Sequence, residues 1–223
     1  MTRICAHAGF DQTIPNSLES LELAVLRGYD SVEFDINRYR EKLILAHDIE
    51  ERFETEAPPL LADGLALLKN RGIAVNCDIK DPSMALETSA LVKQFGMEEA
   101  AFFTGEITPE FKKPTDYKFF LNADNPCLDL PARVSLAEAK KLAAFFRKSK
   151  NSNFLGYNFD YLALETEAME FFLKENIPFI LWTVDDETLI PAYIDKNIWG
   201  LTTNNARFAL AYRNSGDRGK TQA

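Results

Sequence analysis

The chain has 223 residues, with 34 Asp and Glu against 25 Lys and Arg, a formal net charge of −9 and 46% hydrophobic residues. This length lets one domain bury a sizeable core without staples, and the composition excludes disordered and fibrous classes. The acidic balance argues against a general nucleic-acid binder, so an anionic small-molecule substrate would need a local source of positive charge.

Cys5, Cys77 and Cys127 cannot all pair and lack C-x-x-C spacing. Cys5 and Cys77 lie in apolar runs and are expected as small buried hydrophobes, with neither a disulfide framework nor a Cys-based zinc site. No apolar window approaches a membrane span and the N-terminus lacks a long apolar stretch, so a soluble, cytoplasmic protein is expected.

In chain order, short apolar runs alternate with longer amphipathic stretches. Arg3 to Ala8 reads as a strand and Ser17 to Arg27 as a helix, with Asn16 or Ser17 as N-cap and Gly28 as stop. Strand-like runs follow at Ser31 to Ile36 and Leu43 to Ala46, then a helix at Leu60 to Asn70. The strand Ile73 to Ile79, the helix Met84 to Phe95 and the strand Ala101 to Thr104 come next, before a Pro-bounded segment around Glu110 and a strand at Tyr117 to Leu121. Ser135 to Lys148 is an amphipathic helix with Ser135 and Glu138 in capping-box spacing. The remaining strands are Phe154 to Phe159, Phe179 to Val184 and Trp199 to Thr202, with helices at Leu164 to Glu175, Glu187 to Lys196 and about Ala206 to Tyr212.

Eight strand-helix units without a long linker predict a parallel sheet closed on itself, a single-domain (β/α)8 TIM barrel over residues 1–213, with a flexible tail at 214–223. An open doubly wound sheet would carry a Gly-rich phosphate loop after its first strand, and neither G-x-G-x-x-G nor a Walker A sequence is present.

Such a barrel carries its chemistry at the C-terminal strand ends, and reactive residues collect there. The first strand ends in His7-Ala8-Gly9, and the second carries Glu33 and Asp35 on one face. His47-Asp48 follows the next extended run, and Asp78 and Lys80 share a face of the third strand. Taken singly, each acidic residue reads better as a loop-edge residue or cap, and a lone His as a surface or core residue. The joint placement changes that balance, because both histidines of the chain fall beside the carboxylates. Carboxylates facing one interior repel each other and lose hydration, a conflict that a bound cation relieves. Three carboxylates without a thiolate suit a hard ion, Mg2+ or Ca2+, better than zinc. A hard cation beside two imidazoles and one lysine is equipment for hydrolysing a phosphodiester, and the cation supplies the positive charge that the acidic chain lacks.

The ordered set His7-Ala8-Gly9, Pro15-Asn16-Ser17-Leu18-Glu19, Glu33-Phe34-Asp35, Ala46-His47-Asp48 and Asp78-Ile79-Lys80 resembles the glycerophosphodiester phosphodiesterase family, a group of (β/α)8 barrels. Leu181-Trp182-Thr183-Val184-Asp185 and Gly200-Leu201-Thr202-Thr203-Asn204 resemble that family's late-strand motifs, so the likeness spans nearly the whole chain. It implies metal-dependent hydrolysis of glycerophosphodiesters to glycerol 3-phosphate and an alcohol. By resemblance, His7 and His47 are the acid and base, Glu33, Asp35 and Asp78 the metal ligands, Lys80 a phosphate contact and Trp182 part of the substrate pocket.

The sequence also departs from that pattern. Ala8 stands where the family has Arg, Pro15 where it has Glu, Asp78 where Glu is common and Asn204 where it has Asp, and the loop from His47 to Pro58 is short. A lost Arg-phosphate contact would weaken phosphate binding by about one to two orders of magnitude, and Arg38, Arg40 and Arg52 are the candidates to replace it. These departures motivate two further readings: the same chemistry on a different phosphodiester, or a phosphodiester-binding protein without turnover.

Overall fold

The computed structural model describes residues 1–50, 53 and 56–215. Its strands are β1 (Arg3–Ala6), β2 (Ser31–Tyr39), β3 (Lys42–Leu45), β4 (Ala74–Ile79), β5 (Ala101–Gly105), β6 (Phe119–Asn122), β7 (Phe154–Asp160), β8 (Phe179–Trp182) and β9 (Gly200–Thr203). Its α-helices are α1 (Leu18–Arg27), α2 (Leu61–Leu68), α3 (Ala85–Gln94), α4 (Leu136–Lys148), α5 (Thr166–Lys174), α6 (Leu189–Asp195) and α7 (Ala206–Ser215). The strand order is β1-β9-β8-β7-β6-β5-β4-β2, and parallel pairing of Cys5 with Ser31 and Ala6 with Val32 joins its two ends. Eight parallel strands thus form the closed barrel of a (β/α)8 fold, as the repeating pattern predicts.

One extended run is additional to that pattern and one unit departs from it. The extended run after the second strand is not one of the eight staves. β3 turns back antiparallel on β2, pairing from Ile36 with Leu45 to Tyr39 with Lys42, on the edge of β2 beyond the end of β1. The fourth unit has no α-helix between β5 and β6. Pro109 and Pro114 break that segment, since neither ring leaves an amide to donate into a helix. Phe111 fills the place instead, with its ring against Phe119, Phe145 and Phe154 at centroid distances of 6.2, 4.8 and 5.5 Å.

Strand alternation divides the core in two. Outward-facing residues such as Val75, Cys77, Phe103, Phe119, Leu121, Tyr157, Phe159 and Leu201 pack under the helices in one large apolar cluster. Phe102, Phe120 and Ile180 form a separate cluster with Leu155 and Trp199, plugging the barrel near the strand N-termini. Above this plug the buried side chains are polar, including Glu33, Asp35, Asn76, Thr104, Asn158 and Thr202. Polarity inside a barrel must be maintained by hydrogen bonds or by a ligand, so the upper half of the interior is set aside for function.

Helix ends follow the local code. Ser17 caps α1 by accepting from the Ser20 amide at 3.1 Å, and Gly28 closes it in the left-handed region at φ 70°. Ser135 caps α4 by accepting from the Ala137 amide at 3.2 Å, while its hydroxyl donates to the Glu138 carboxylate, a variant of the expected capping box. Cys5 and Cys77 are buried, and burial pushes the Cys5 thiol up to about 12. Asn214 and Ser215, expected in the tail, belong to α7, and the rest of that tail lies outside the described residues.

Candidate active site

Register brings the acidic residues together. Parallel pairing sets Glu33 beside Asn76 and Asp35 beside Asp78 across β2 and β4, and Asp78 beside Thr104 across β4 and β5. One ligand oxygen from each of Glu33, Asp35 and Asp78 lies within 4.8 Å of the others. The donor set is all hard oxygen, and burial, reinforced by Asp35 and Asp78, holds the Glu33 carboxyl well above its ordinary range. The Ala8 amide and Lys80 oppose that shift without cancelling it. Ionising all three carboxylates in this buried space is costly without added positive charge, and the all-oxygen set fits a hard divalent cation.

Each carboxylate is oriented by a neutral donor. The Ala8 amide donates to Glu33 Oε2 at 2.8 Å. Asn16, in the left-handed region at φ 58°, donates from Nδ2 to Asp35 Oδ2 at 2.8 Å and accepts from the Asp35 amide at 2.9 Å. The Thr104 hydroxyl donates to Asp78 Oδ1 at 2.7 Å. Lys80 then bridges two of the acids, with Nζ 2.6 Å from Asp35 Oδ1 and 2.7 Å from Asp78 Oδ2. Burial works to lower the Lys80 pKa, but Asp78 and Asp35 outweigh it and hold the ammonium above its usual range.

Gly105 makes room for this arrangement. At φ 80° its position would put a Cβ 2.4 Å from the Ile79 carbonyl and 3.0 Å from Asp78 Oδ1. Only glycine takes that backbone conformation so close to another strand.

The two histidines approach from different sides. His7 follows β1, and its Nδ1 lies 2.9 Å from Asn204 Oδ1. Asn204 Nδ2 donates to Asp185 Oδ2 at 2.8 Å, and its amide donates to Asp185 Oδ1 at 2.7 Å. The amide oxygen of Asn204 is thereby fixed as an acceptor for His7 Nδ1, and His7 Nε2 lies 3.9 Å from Glu33 Oε2. His47 sits after β3, more exposed, with Nδ1 2.8 Å from Asp48 Oδ2. The hairpin of β2 and β3 carries it to the rim, and Asn37 donates to its carbonyl at 3.0 Å.

His7, His47, Glu33, Asp35, Asp78, Lys80 and Trp182 all line one open pocket of about 520 Å3, with Asn122 and Asn158 on the opposite wall. Every site residue predicted from sequence therefore reaches the same cavity. The indole N–H of Trp182 is buried without a partner among the described residues. Lys80 is the sole Lys or Arg among the described residues lining it. The expected replacement arginines are engaged elsewhere: Arg38 pairs with Glu87 at 2.6 Å, and the Arg40 guanidinium lies 5.0 Å over the Tyr39 ring. Arg52 lies outside the described residues.

Roles that sequence did not assign belong to Asn16, Thr104, Asp185 and Asn204. Asn16, Asp185 and Asn204 stand within the motifs, but which of them touches His7 or a carboxylate depends on three-dimensional register.

No protein-family model matches the chain, and no curated protein matches its sequence. Solved structures do match its shape. A glycerophosphodiester phosphodiesterase from Parabacteroides distasonis is 19% identical with a TM-score of 0.69, covering 96% of this chain and 97% of its own. A candidate glycerophosphoryl diester phosphodiesterase from Agrobacterium tumefaciens reaches a TM-score of 0.77 at 14% identity, with coverage of 96% and 98%. A phosphodiesterase from Oleispira antarctica, solved with its product sn-glycerol-3-phosphate, has a TM-score of 0.67 at 13% identity, with coverage of 95% and 96%. The chain thus has the TIM-barrel fold of the glycerophosphodiester phosphodiesterases. At these identities the likeness carries the fold, and function rests on the site.

Proposed function

We propose that the protein is a divalent-cation-dependent phosphodiesterase that hydrolyses glycerophosphodiesters to glycerol 3-phosphate and an alcohol. One observation carries the reading: three carboxylates, two histidines and one lysine, from separate strand ends, line one pocket. Glu33, Asp35 and Asp78 would hold a hard cation, Mg2+ or Ca2+, which supplies Lewis-acid polarisation of the phosphoryl group.

The chain's own residues divide the remaining work. Lys80 Nζ offers fixed positive charge to the phosphate oxygens. His7, with Nδ1 held by Asn204, and His47, beside Asp48, act as the acid-base pair. One imidazole takes the proton of the attacking oxygen and the other gives a proton to the departing alkoxide. Trp182 contributes an apolar wall, and Asn122 and Asn158 face the substrate as neutral hydrogen-bonding groups.

A second reading, the same chemistry on another phosphodiester, is supported by Ala8. With no arginine among the described pocket-lining residues, Lys80 is the fixed positive charge that they offer the phosphate.

Release of glycerol 3-phosphate from a panel of glycerophosphodiesters, and of alcohols from cyclic and lipid-derived phosphodiesters, separates these readings. His7→Ala and His47→Ala are each expected to lower kcat by about 10²-fold or more. Asn204→Ala, which frees the His7 ring, is expected to lose about tenfold. Unchanged turnover in both His variants would remove the mechanism, and metal-dependent binding without any product would favour a non-catalytic binder.

A further inference from the structure

Both aspartates of the acidic cluster have one oxygen committed to a neutral donor and the other to Lys80. Asp35 Oδ2 accepts from Asn16 at 2.8 Å and Oδ1 from Lys80 at 2.6 Å. Asp78 Oδ1 accepts from Thr104 at 2.7 Å and Oδ2 from Lys80 at 2.7 Å. A cation drawing on either of the two oxygens that Lys80 holds therefore meets the ammonium. A divalent cation and an ammonium cannot share them at full strength, because both charges would lie within a few ångströms of each other in a poorly hydrated site.

We infer that Lys80 is the cation's competitor as well as the phosphate's partner, so that metal and phosphate bind with positive coupling through an exchange of Lys80 between Asp35, Asp78 and the substrate. The inference rests on the proposed metal site and deepens it. Phosphate draws the ammonium off the aspartates and exposes their oxygens to the metal. The metal in turn releases the ammonium toward phosphate, and linkage makes the two effects equal. Lys80 can make this move because its flexible four-carbon stem carries a compact charge. Its side chain is 21% exposed, at the pocket wall rather than locked in the core. The backbone meanwhile stays anchored, with the Lys80 amide donating to the Ile36 carbonyl at 3.1 Å.

The exchange is tested by calorimetric titration of Ca2+ and of Mg2+ into the full chain, with and without sn-glycerol 3-phosphate. Lys80→Met is expected to bind the cation about tenfold or more tightly than the unaltered protein when no phosphate is present, as two partly buried ion pairs no longer have to break. The tightening that glycerol 3-phosphate brings should shrink in the same variant. Lys80→Gln, which keeps polarity and length, serves if the methionine variant fails to fold. A gain in cation affinity, together with a smaller tightening by glycerol 3-phosphate, supports the exchange. Equal or weaker cation binding in both variants, or an undiminished tightening by glycerol 3-phosphate, would overturn it while leaving the metal site standing. Absence of cation binding in the unaltered protein and in both variants would overturn the metal site itself, and the exchange with it.

Discussion

At the residue scale, Glu33 is the most consequential group. Its carboxyl is buried and faces Asp35 and Asp78, so its pKa is raised in the folded state. A raised acid adds stability below its unfolded pKa, and that contribution is lost as pH climbs through the folded value. Without a divalent cation, melting temperature should therefore fall as pH rises above the ordinary glutamate range. Added Mg2+ or Ca2+ should reverse the trend, because the ligand must be ionised to bind. Glu33→Gln should flatten the pH dependence in chelator and abolish the stabilisation by cation. Thermal unfolding across pH, with EDTA and with each cation, checks both signs. A profile in EDTA that is the same for Glu33→Gln and the unaltered chain would remove Glu33 from this role.

The residue scale also separates what sequence discloses from what it hides. Glu33, Asp35, Asp78 and Lys80 were legible because alternation along a strand puts i and i+2 on one face. The partners Asn16, Thr104 and Asn204 were not. Asn204 is the clearest case: it meets His7 across 197 positions of sequence, through β9 pairing beside β1, and its amide is oriented by Asp185 from the strand before. Seen as a departure from the family's Asp, it suggested a weakened motif. In the fold it is a hydrogen-bonded support for a proposed catalytic histidine.

At the element scale, the short barrel staves matched their predicted positions to within one to three residues at most ends, because apolar runs bounded by Gly, Asn and Pro leave few alternatives. What propensity left open is set by connection. The extended run at β3, additional to the eight predicted staves, is folded back as a hairpin by a two-residue turn at Arg40 and Glu41, both at positive φ. That reversal carries His47 over the pocket. Between β5 and β6, Phe111 replaces a helix by packing on β6, β7 and α4. Its ring is therefore expected to do the work of a whole helix face, and Phe111→Ala should cost about 3 kcal/mol, within the range for large-to-small changes among packed aromatics. Denaturant unfolding measures this, and a loss below about 1 kcal/mol would mean that the segment is not what covers the barrel there.

At the scale of the whole molecule, closure depends on the first and last elements. Arg213 of α7 pairs with Asp30 and donates to the Thr2 carbonyl at 3.3 Å, while Asp30 Oδ2 accepts from the Ile4 amide at 2.7 Å. The last helix is thus tied to the segments that begin β1 and β2, where the sheet must close. Among the described residues no helix is long and apolar enough to cross a membrane. The net charge of −9 includes three carboxylates gathered where one cation would neutralise much of their repulsion. Acidity, which at first argued only against nucleic acid, thus becomes part of how a phosphodiester would be held.

The most direct test of the central claim is glycerol 3-phosphate release by the purified chain after stripping with EDTA and again after adding Mg2+ or Ca2+. The account predicts almost no product in EDTA, recovery with a divalent cation, and no recovery in Asp35→Asn, whose neutral side chain is a far weaker cation ligand. Full turnover in EDTA, or full recovery in Asp35→Asn, would contradict it.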